Sequence, residues 1–303
     1  MSGYFGGVIV ILSLNVILAY AIFLPVASGQ LNLGGAAFQA VGAYTAGFLS
    51  TSYDLAVGPS LALSVLAGGL VALFFSFIIL RTRSVYLVLA TFAFSEFVSG
   101  VIVNIDALGG SVGLSVSTHI SGTVVLVAAV IAAAIVLLFM QTRLGLATRA
   151  IHDDDLVSEL MGIGVRWTRV IAFTLGGLLA GLAGGLYAFY FNFVDIQSFD
   201  AASSIYLLLF VLLGGTQTFW GPLVGAAFFT IVPELLRSAI SAAPALAHAL
   251  GVTGELDSSW RFIILGALTV AMMIVRPEGA ITRIGLSRLQ AALFPSRLRK
   301  RPA

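Results

Sequence analysis

The sequence of 303 residues contains no cysteine and one lysine, Lys300. Without cysteine there are no disulfides and no thiolate metal sites, and the redox compartment leaves no trace. Without lysines there is no P-loop, because a Gly-x-x-x-x-Gly-Lys-Ser/Thr run needs its lysine to reach the nucleotide phosphates. Any ATP that drives this protein is therefore hydrolysed on another chain. His119, His152 and His248 are scattered and lack metal-ligand spacing. His-Glu-x-x-His, Gly-x-Ser-x-Gly and a histidine paired with a carboxylate inside one apolar run are all missing. The expectation is a non-enzyme with no cofactor of its own. Charge is scarce too: 9% of residues are charged, where soluble domains carry roughly 25%. The first charge is Asp54, so the first apolar run lacks the basic start of a signal peptide and reads as a retained span.

What is abundant is apolar surface. Hydrophobic residues make up 59% of the chain, and 33 residues are glycine. No soluble core of this size hides so much apolar surface, and small residues let membrane helices approach closely. The expected fold is an all-α polytopic membrane protein with about 8–10 transmembrane helices and broken or re-entrant Gly-rich segments. Apolar runs at 8–26, 33–49, 61–80, 85–103, 124–140 and 170–191 are close to the ~20 residues that a helix needs to cross ~30 Å of hydrocarbon. An interrupted stretch follows at 205–236, and a last run at 262–275. Residues 1–275 read as one transmembrane domain, and 276–303 as a basic tail.

Basic residues orient the spans. Arg81 and Arg83, then Arg143, Arg149, Arg166 and Arg169, then the Arg-rich tail mark the cytoplasmic side. The segments 104–122 and 192–203 have no Lys or Arg and face outside. The tail, from Arg276 to Arg301, holds seven of the 15 basic residues. It suits a lipid surface and not nucleic acid. With span 6 leaving outside and the tail inside, 205–236 must begin and end outside, as a hairpin or re-entrant element broken over Gly214-Gly215-Thr216-Gln217-Thr218-Phe219-Trp220-Gly221-Pro222. Leu33-Gly34-Gly35 resembles Leu213-Gly214-Gly215. Paired breaks of this kind mark either an inverted repeat around a substrate path or two independent helix contacts.

Four features invite function. In the cytoplasmic loop 141–169, Asp153 is placed to cap a helix, Asp154 and Asp155 suit its positive end, and Gly162 suits its stop. One short helix over 151–162, with an apolar stripe of Leu156, Val157, Leu160 and Met161, suits docking into another protein. Lying on lipid is the alternative, but the polar face is acidic, through Asp153–Asp155 and Glu159. Gly177, Gly181 and Gly185 form a small-residue face, for a subunit interface or for packing within the chain. Glu96 is the only charged residue deep in a span, with Ser99 on its face. An intramembrane carboxylate costs roughly 3 kcal/mol on insertion scales. It is therefore a pathway or coupling residue, or a structural carboxylate bonded to a neighbouring helix. Glu234 with Arg237, and Asp257 with Arg261, have the spacing of boundary ion pairs.

Six or more blocks in order carry a resemblance. They are Asn32-Leu33-Gly34-Gly35-Ala36-Ala37-Phe38 with Val41-Gly42-Ala43-Tyr44-Thr45-Ala46; Arg81-Thr82-Arg83-Ser84-Val85-Tyr86 with Thr91-Phe92-Ala93-Phe94-Ser95-Glu96; Gly109-Gly110-Ser111-Val112-Gly113-Leu114; Arg149-Ala150-Ile151 through Met161-Gly162-Ile163; Ala180-Gly181-Leu182-Ala183-Gly184-Gly185; and Arg276-Pro277-Glu278-Gly279. The chain resembles the permease subunits of branched-chain amino acid ATP-binding-cassette importers, specifically the second of the two homologous membrane subunits. Leu108 stands where that family usually has Thr, and Thr216-Gln217-Thr218 where it has a smaller pattern. The resemblance implies a bacterial inner-membrane protein with a cytoplasmic C-terminus. It implies a homologous permease partner, two ATPase subunits that bind the ATP, and a periplasmic binding protein. It assigns ATPase coupling to the segment that holds Arg149, His152, Asp153, Asp154, Asp155, Leu156, Glu159, Leu160 and Gly162. The candidate translocation path comprises Asn32, Gly34, Gly35, Ser95, Glu96, Ser99, Gly214, Gly215 and Gln217. Branched-chain amino acids are the expected substrates, with urea, amides and aromatic acids as related solutes. An ion-coupled transporter or passive channel using Glu96 is the competing reading. The purified chain alone is expected to hydrolyse no ATP; activity that survives removal of contaminating ATPases would contradict the reading.

Overall fold

Each apolar run closes its backbone hydrogen bonds as a helix, because hydrocarbon offers no water to satisfy them. The computed structural model describes residues 2–79 and 85–242, together with Gly266, Val270 and Ile274. Helices α1 Ser2–Val26, α2 Gly35–Tyr53, α3 Val57–Ile79, α4 Val85–Val103 and α5 Gly122–Gln141 come first. Two short helices, α6 Arg143–Asp153 and α7 Asp155–Leu160, then lead into α8 Val165–Phe191, α9 Ala201–Gly214 and α10 Trp220–Ala242. A two-residue ribbon pairs β1 Leu114–Ser115 antiparallel with β2 Phe193–Val194. Six of the helical segments are long and apolar enough to cross a membrane. The protein is an all-α polytopic membrane protein. The Arg81–Ser84 loop, the rest of the run at 262–275, the tail, the side chain of Arg237 and the pair expected at Asp257 and Arg261 lie outside the described residues.

The chain divides into two compact units, 1–209 and 210–303. In the first unit α8 is the central post, with α1, α2 and α3 packed along it. The apolar windows of α1 and α8 are each 67% buried, whereas those of α3, α4 and α5 are 28% buried and form the periphery. Glycine decides how close the posts stand. A Cβ on Gly181 would lie 2.6 Å from the Ser64 carbonyl oxygen, and one on Gly68 would lie 2.7 Å from the Gly177 carbonyl oxygen. Gly42 meets Gly181 from α2 in the same way. The small-residue face of α8 is therefore spent on packing within the chain, which overturns the alternative of a subunit interface.

In the second unit, the end of α9 from Phe210 and the helix α10 are separated by a non-helical break at 215–219. The Gly214 and Gly221 backbones cross closely, and Phe210 lies 5.0 Å from Phe229, ring centre to ring centre. Two local expectations change. The loop 141–169 is almost wholly helical, and Arg166 and Arg169 lie in the first turns of α8, not before it. The single helix expected over 151–162 is two helices, because the chain turns at Asp154 (φ −159°, ψ 116°).

Substituting Gly181→Val should force overpacking against α3, at about 1–3 kcal/mol. Gly100→Ala, where a Cβ meets nothing within 4 Å, should be neutral or mildly stabilising. Thermal unfolding in detergent tests both; an unchanged midpoint for Gly181→Val would contradict the packing.

Candidate functional site

Both ends of α7 are fixed by their own residues. Asp154, not Asp153, is its N-cap: the Asp154 carboxylate accepts from the Val157 amide at 3.0 Å. Asp153 is the last residue of α6, because the chain turns one residue later than expected. At the other end Gly162 takes φ +83°; the Gly162 amide donates to the Glu159 carbonyl, and Ile163 to the Ser158 carbonyl. That pair of bonds is a Schellman stop, so Gly162 ends the helix as expected. Between the caps the apolar residues face away from the protein: Leu156 is 66% exposed, Leu160 87% and Met161 79%.

The segment is tied to the turn between α1 and α2. There Gly29 (φ +79°) closes a second Schellman stop, with Gln30 donating to the Pro25 carbonyl. The His152 Nδ1–H donates to the Val26 carbonyl at 3.2 Å. The Arg169 guanidinium donates from Nε to the Ser28 carbonyl and from Nη2 to the Asp155 carboxylate, each at 3.4 Å. An open cavity of about 560 Å³ lies here, lined by Gln30, Leu87, His152, Asp155, Glu159 and Arg169 among others. The sequence marked Arg169 only as a side-of-membrane signal; nothing in it pointed to the Ser28 carbonyl.

The other candidates separate. Asn32, Gly34 and Gly35 are buried at the start of α2 and committed to internal bonds. The Asn32 side-chain oxygen accepts from the Gly34 amide at 2.8 Å. The Thr91 hydroxyl accepts from the Leu33 amide, and the Ser204 hydroxyl from the Ala36 amide, each at 3.0 Å. Thr91 and Ser204 went unrecognised as caps because their spacing in sequence gives no sign of it. Ser95 is fully buried on the inner face of α4, with its hydroxyl unpaired. Glu96, the next residue, is exposed on the opposite face, and Ser99 is half-buried. Among the described residues Glu96 makes no hydrogen bond or ion pair. Gly214 and Gly215 sit buried in the hairpin break, with Gln217 half-buried beside them.

The family model described as "Branched-chain amino acid transport system / permease component" matches residues 4–273. The chain belongs to this family. It is 27% identical over 290 residues to the high-affinity branched-chain amino acid transport system permease protein LivM of Escherichia coli. The LivM protein of Salmonella typhimurium is likewise 27% identical over 290 residues; each match covers 84% of this chain and 64% of the relative. The autoinducer 2 import system permease protein LsrC of Klebsiella pneumoniae is 30% identical over 165 residues, 53% of this chain and 43% of that one. This permease-family chain thus spans about 64% of the length of the LivM relatives it matches. No solved structure matches it.

Because the Arg169–Asp155 pair is partly exposed, Arg169→Ala should cost about 0.2–1 kcal/mol locally. Amide exchange across α7 should then rise about two- to five-fold while the amides of α8 stay unchanged. Equal rates in α7 would show that the tie holds nothing.

Proposed function

We propose that this chain is the translocation subunit of an ATP-binding-cassette importer for branched-chain amino acids in a bacterial inner membrane, with its C-terminus in the cytoplasm. A homologous permease pairs with it, two separate ATPase subunits bind and hydrolyse the ATP, and a periplasmic protein delivers the solute. Family membership supports the class. The observation that carries the mechanism is α7, a helix capped at both ends whose large apolar side chains Leu156, Leu160 and Met161 are exposed among the described residues.

Such a surface stays soluble only when something covers it. Its polar neighbours Asp153, Asp155 and Glu159 are acidic, which disfavours an anionic lipid surface. A groove in an ATPase subunit, with basic residues at its rim, fits both halves of the surface. Helix-in-groove docking uses apolar anchors spaced along one face, and Leu156 and Leu160 have that spacing. Arg149 and His152 on α6 stay with the membrane domain, since Ile151 is buried beside them.

The test changes side chains that do no work within this chain. Asp154 is unsuitable, because its loss would also uncap α7. Leu160→Glu and Glu159→Lys leave both caps in place. In the reconstituted complex each should lower uptake and substrate-stimulated ATP hydrolysis about tenfold or more, as loss of a central anchor does. The permease pair should still co-purify. Normal uptake in both variants would defeat the docking.

A further inference from the structure

The exposed faces of three peripheral helices differ in kind. Every exposed position of α3 from 62 to 78 is apolar, with Leu66, Leu70 and Phe74 along its middle. Every exposed position of α5 from 124 to 138 is apolar too, with Val127, Val130 and Ile131 central. Such faces suit lipid. The exposed face of α4 is different. It carries Glu96, then Gly100, then Asn104 just past the helix end, each four residues apart and so on one stripe. Asn104 Nδ2 donates to the Gly100 carbonyl at 2.7 Å, and a Cβ at Gly100 would meet nothing within 4 Å. Along this stripe Glu96 and Asn104 are polar and Gly100 adds no side chain, while exposed Phe97 and Val101 flank it. On the other side of Glu96 the same face turns apolar, through Leu89, Phe92 and Ala93.

Glu96 stands about 17 Å along a helix about 28 Å long, close to the midplane. A carboxylate at that depth must face water or a cationic group. No partner comes from this chain among the described residues, and the stripe leads out at the end of α4 away from Leu87, which lines the cavity beside α6 and α7. We propose that the stripe of Glu96, Gly100 and Asn104 is the wall of the solute path, and that the Glu96 carboxylate receives the ammonium group of the amino acid midway across. The proposal rests on the importer reading. The solute comes down the polar half of the stripe, and its ammonium meets the one negative charge on the face. Its aliphatic side chain can then pass the apolar half, where Leu89 and Phe92 offer a matching surface. Leu89, Phe92 and Ala93 carry no charge to hold the ammonium, so release lies beyond Glu96.

The absence of native cysteine makes the test direct. In the assembled importer in membrane vesicles, Gly100→Cys and Asn104→Cys should react with cationic trimethylammonioethyl methanethiosulfonate at least about tenfold faster than Leu66→Cys and Val130→Cys on the lipid faces. Adding Glu96→Gln should cut the preference of Gly100→Cys for that reagent over an anionic thiosulfonate about threefold or more, since the attracting charge is gone. Leucine uptake should fall about tenfold or more in Glu96→Gln and stay within about threefold in Glu96→Asp, a pattern that a merely hydrogen-bonded residue would not give. Unreactive thiols, as a dry contact with the partner permease or lipid would produce, overturn the proposal, and so does full uptake by Glu96→Gln. Leucine uptake by the unsubstituted complex is the control for the importer reading itself. If it fails, that reading fails, while the labelling comparison needs no transported solute and still decides whether the α4 face is wet.

Discussion

A backbone amide in hydrocarbon must find its partner inside the protein, and most of this architecture follows from that. It accounts for the long helices, and more tellingly for how they stop. The chain leaves helical geometry between α1 and α2, where Asn32 to Phe38 are buried in protein. Three freed amides there meet a side-chain oxygen: Leu33 the Thr91 hydroxyl, Gly34 the Asn32 side chain, Ala36 the Ser204 hydroxyl. Three parts of the chain, far apart in sequence, converge to cap one helix. The buried polar side chains of the core are mostly serine and threonine, with a few amides and no charged residue among them. Such side chains hydrogen-bond the backbone, mostly by donating to carbonyls, without carrying a charge into the low-dielectric interior.

Close helix approach is the second consequence. With lipid as solvent, apolar side chains gain little by leaving it, so association rests on dispersion contact and backbone proximity. The contacts of α8 with α2 and α3 run glycine to backbone along Gly177, Gly181 and Gly184. These helices have no spare volume in which to shift, because a packed interface of this kind tolerates less than one added methyl group. The rigid part of the first unit is therefore its centre, and the parts able to rearrange are those joined by longer, partly exposed polar contacts.

The rough limits of α1 to α5 were legible from apolar length, and the break after α9 from its Gly214-Gly215 pair. The composition of the docking segment was legible as well, since a run of aspartates before Leu156 and a later Gly162 describe a capped helix wherever it lies. What could not be read was which aspartate capped it, because neighbouring carboxylates differ only in backbone angle. The direction of Glu96 was also hidden. Ser95 and Glu96 are adjacent, yet one faces the core and the other faces away, and the apolar residues around them do not mark which face is which. The glycine face of α8 had two valid uses by sequence, and only the neighbours Ser64, Gly68 and Gly42 decide between them.

These facts constrain how a docking event at α7 could reach the membrane. Contact alone does not carry coupling; some element must have two arrangements that both sites bias. The glycine-packed centre is a poor candidate, for the reasons of volume given above. The turn from Ser28 to Asn32 is a better one. It is held to α7 through Arg169, at 3.4 Å on both sides, and to α6 through His152. Its far end, Leu33, is bonded to Thr91 on α4, on the helix that carries Glu96. A pull on α7 of one ångström would be taken up first by the two long Arg169 bonds. Beyond that it would load the turn at Gly29 (φ +79°), which joins the end of α1 to the start of α2. Movement there would reach α4, the helix that carries Glu96, through the Leu33–Thr91 bond and through the Phe38 ring, 5.6 Å from Phe94, so a docking at α7 would act on α4 by way of the start of α2.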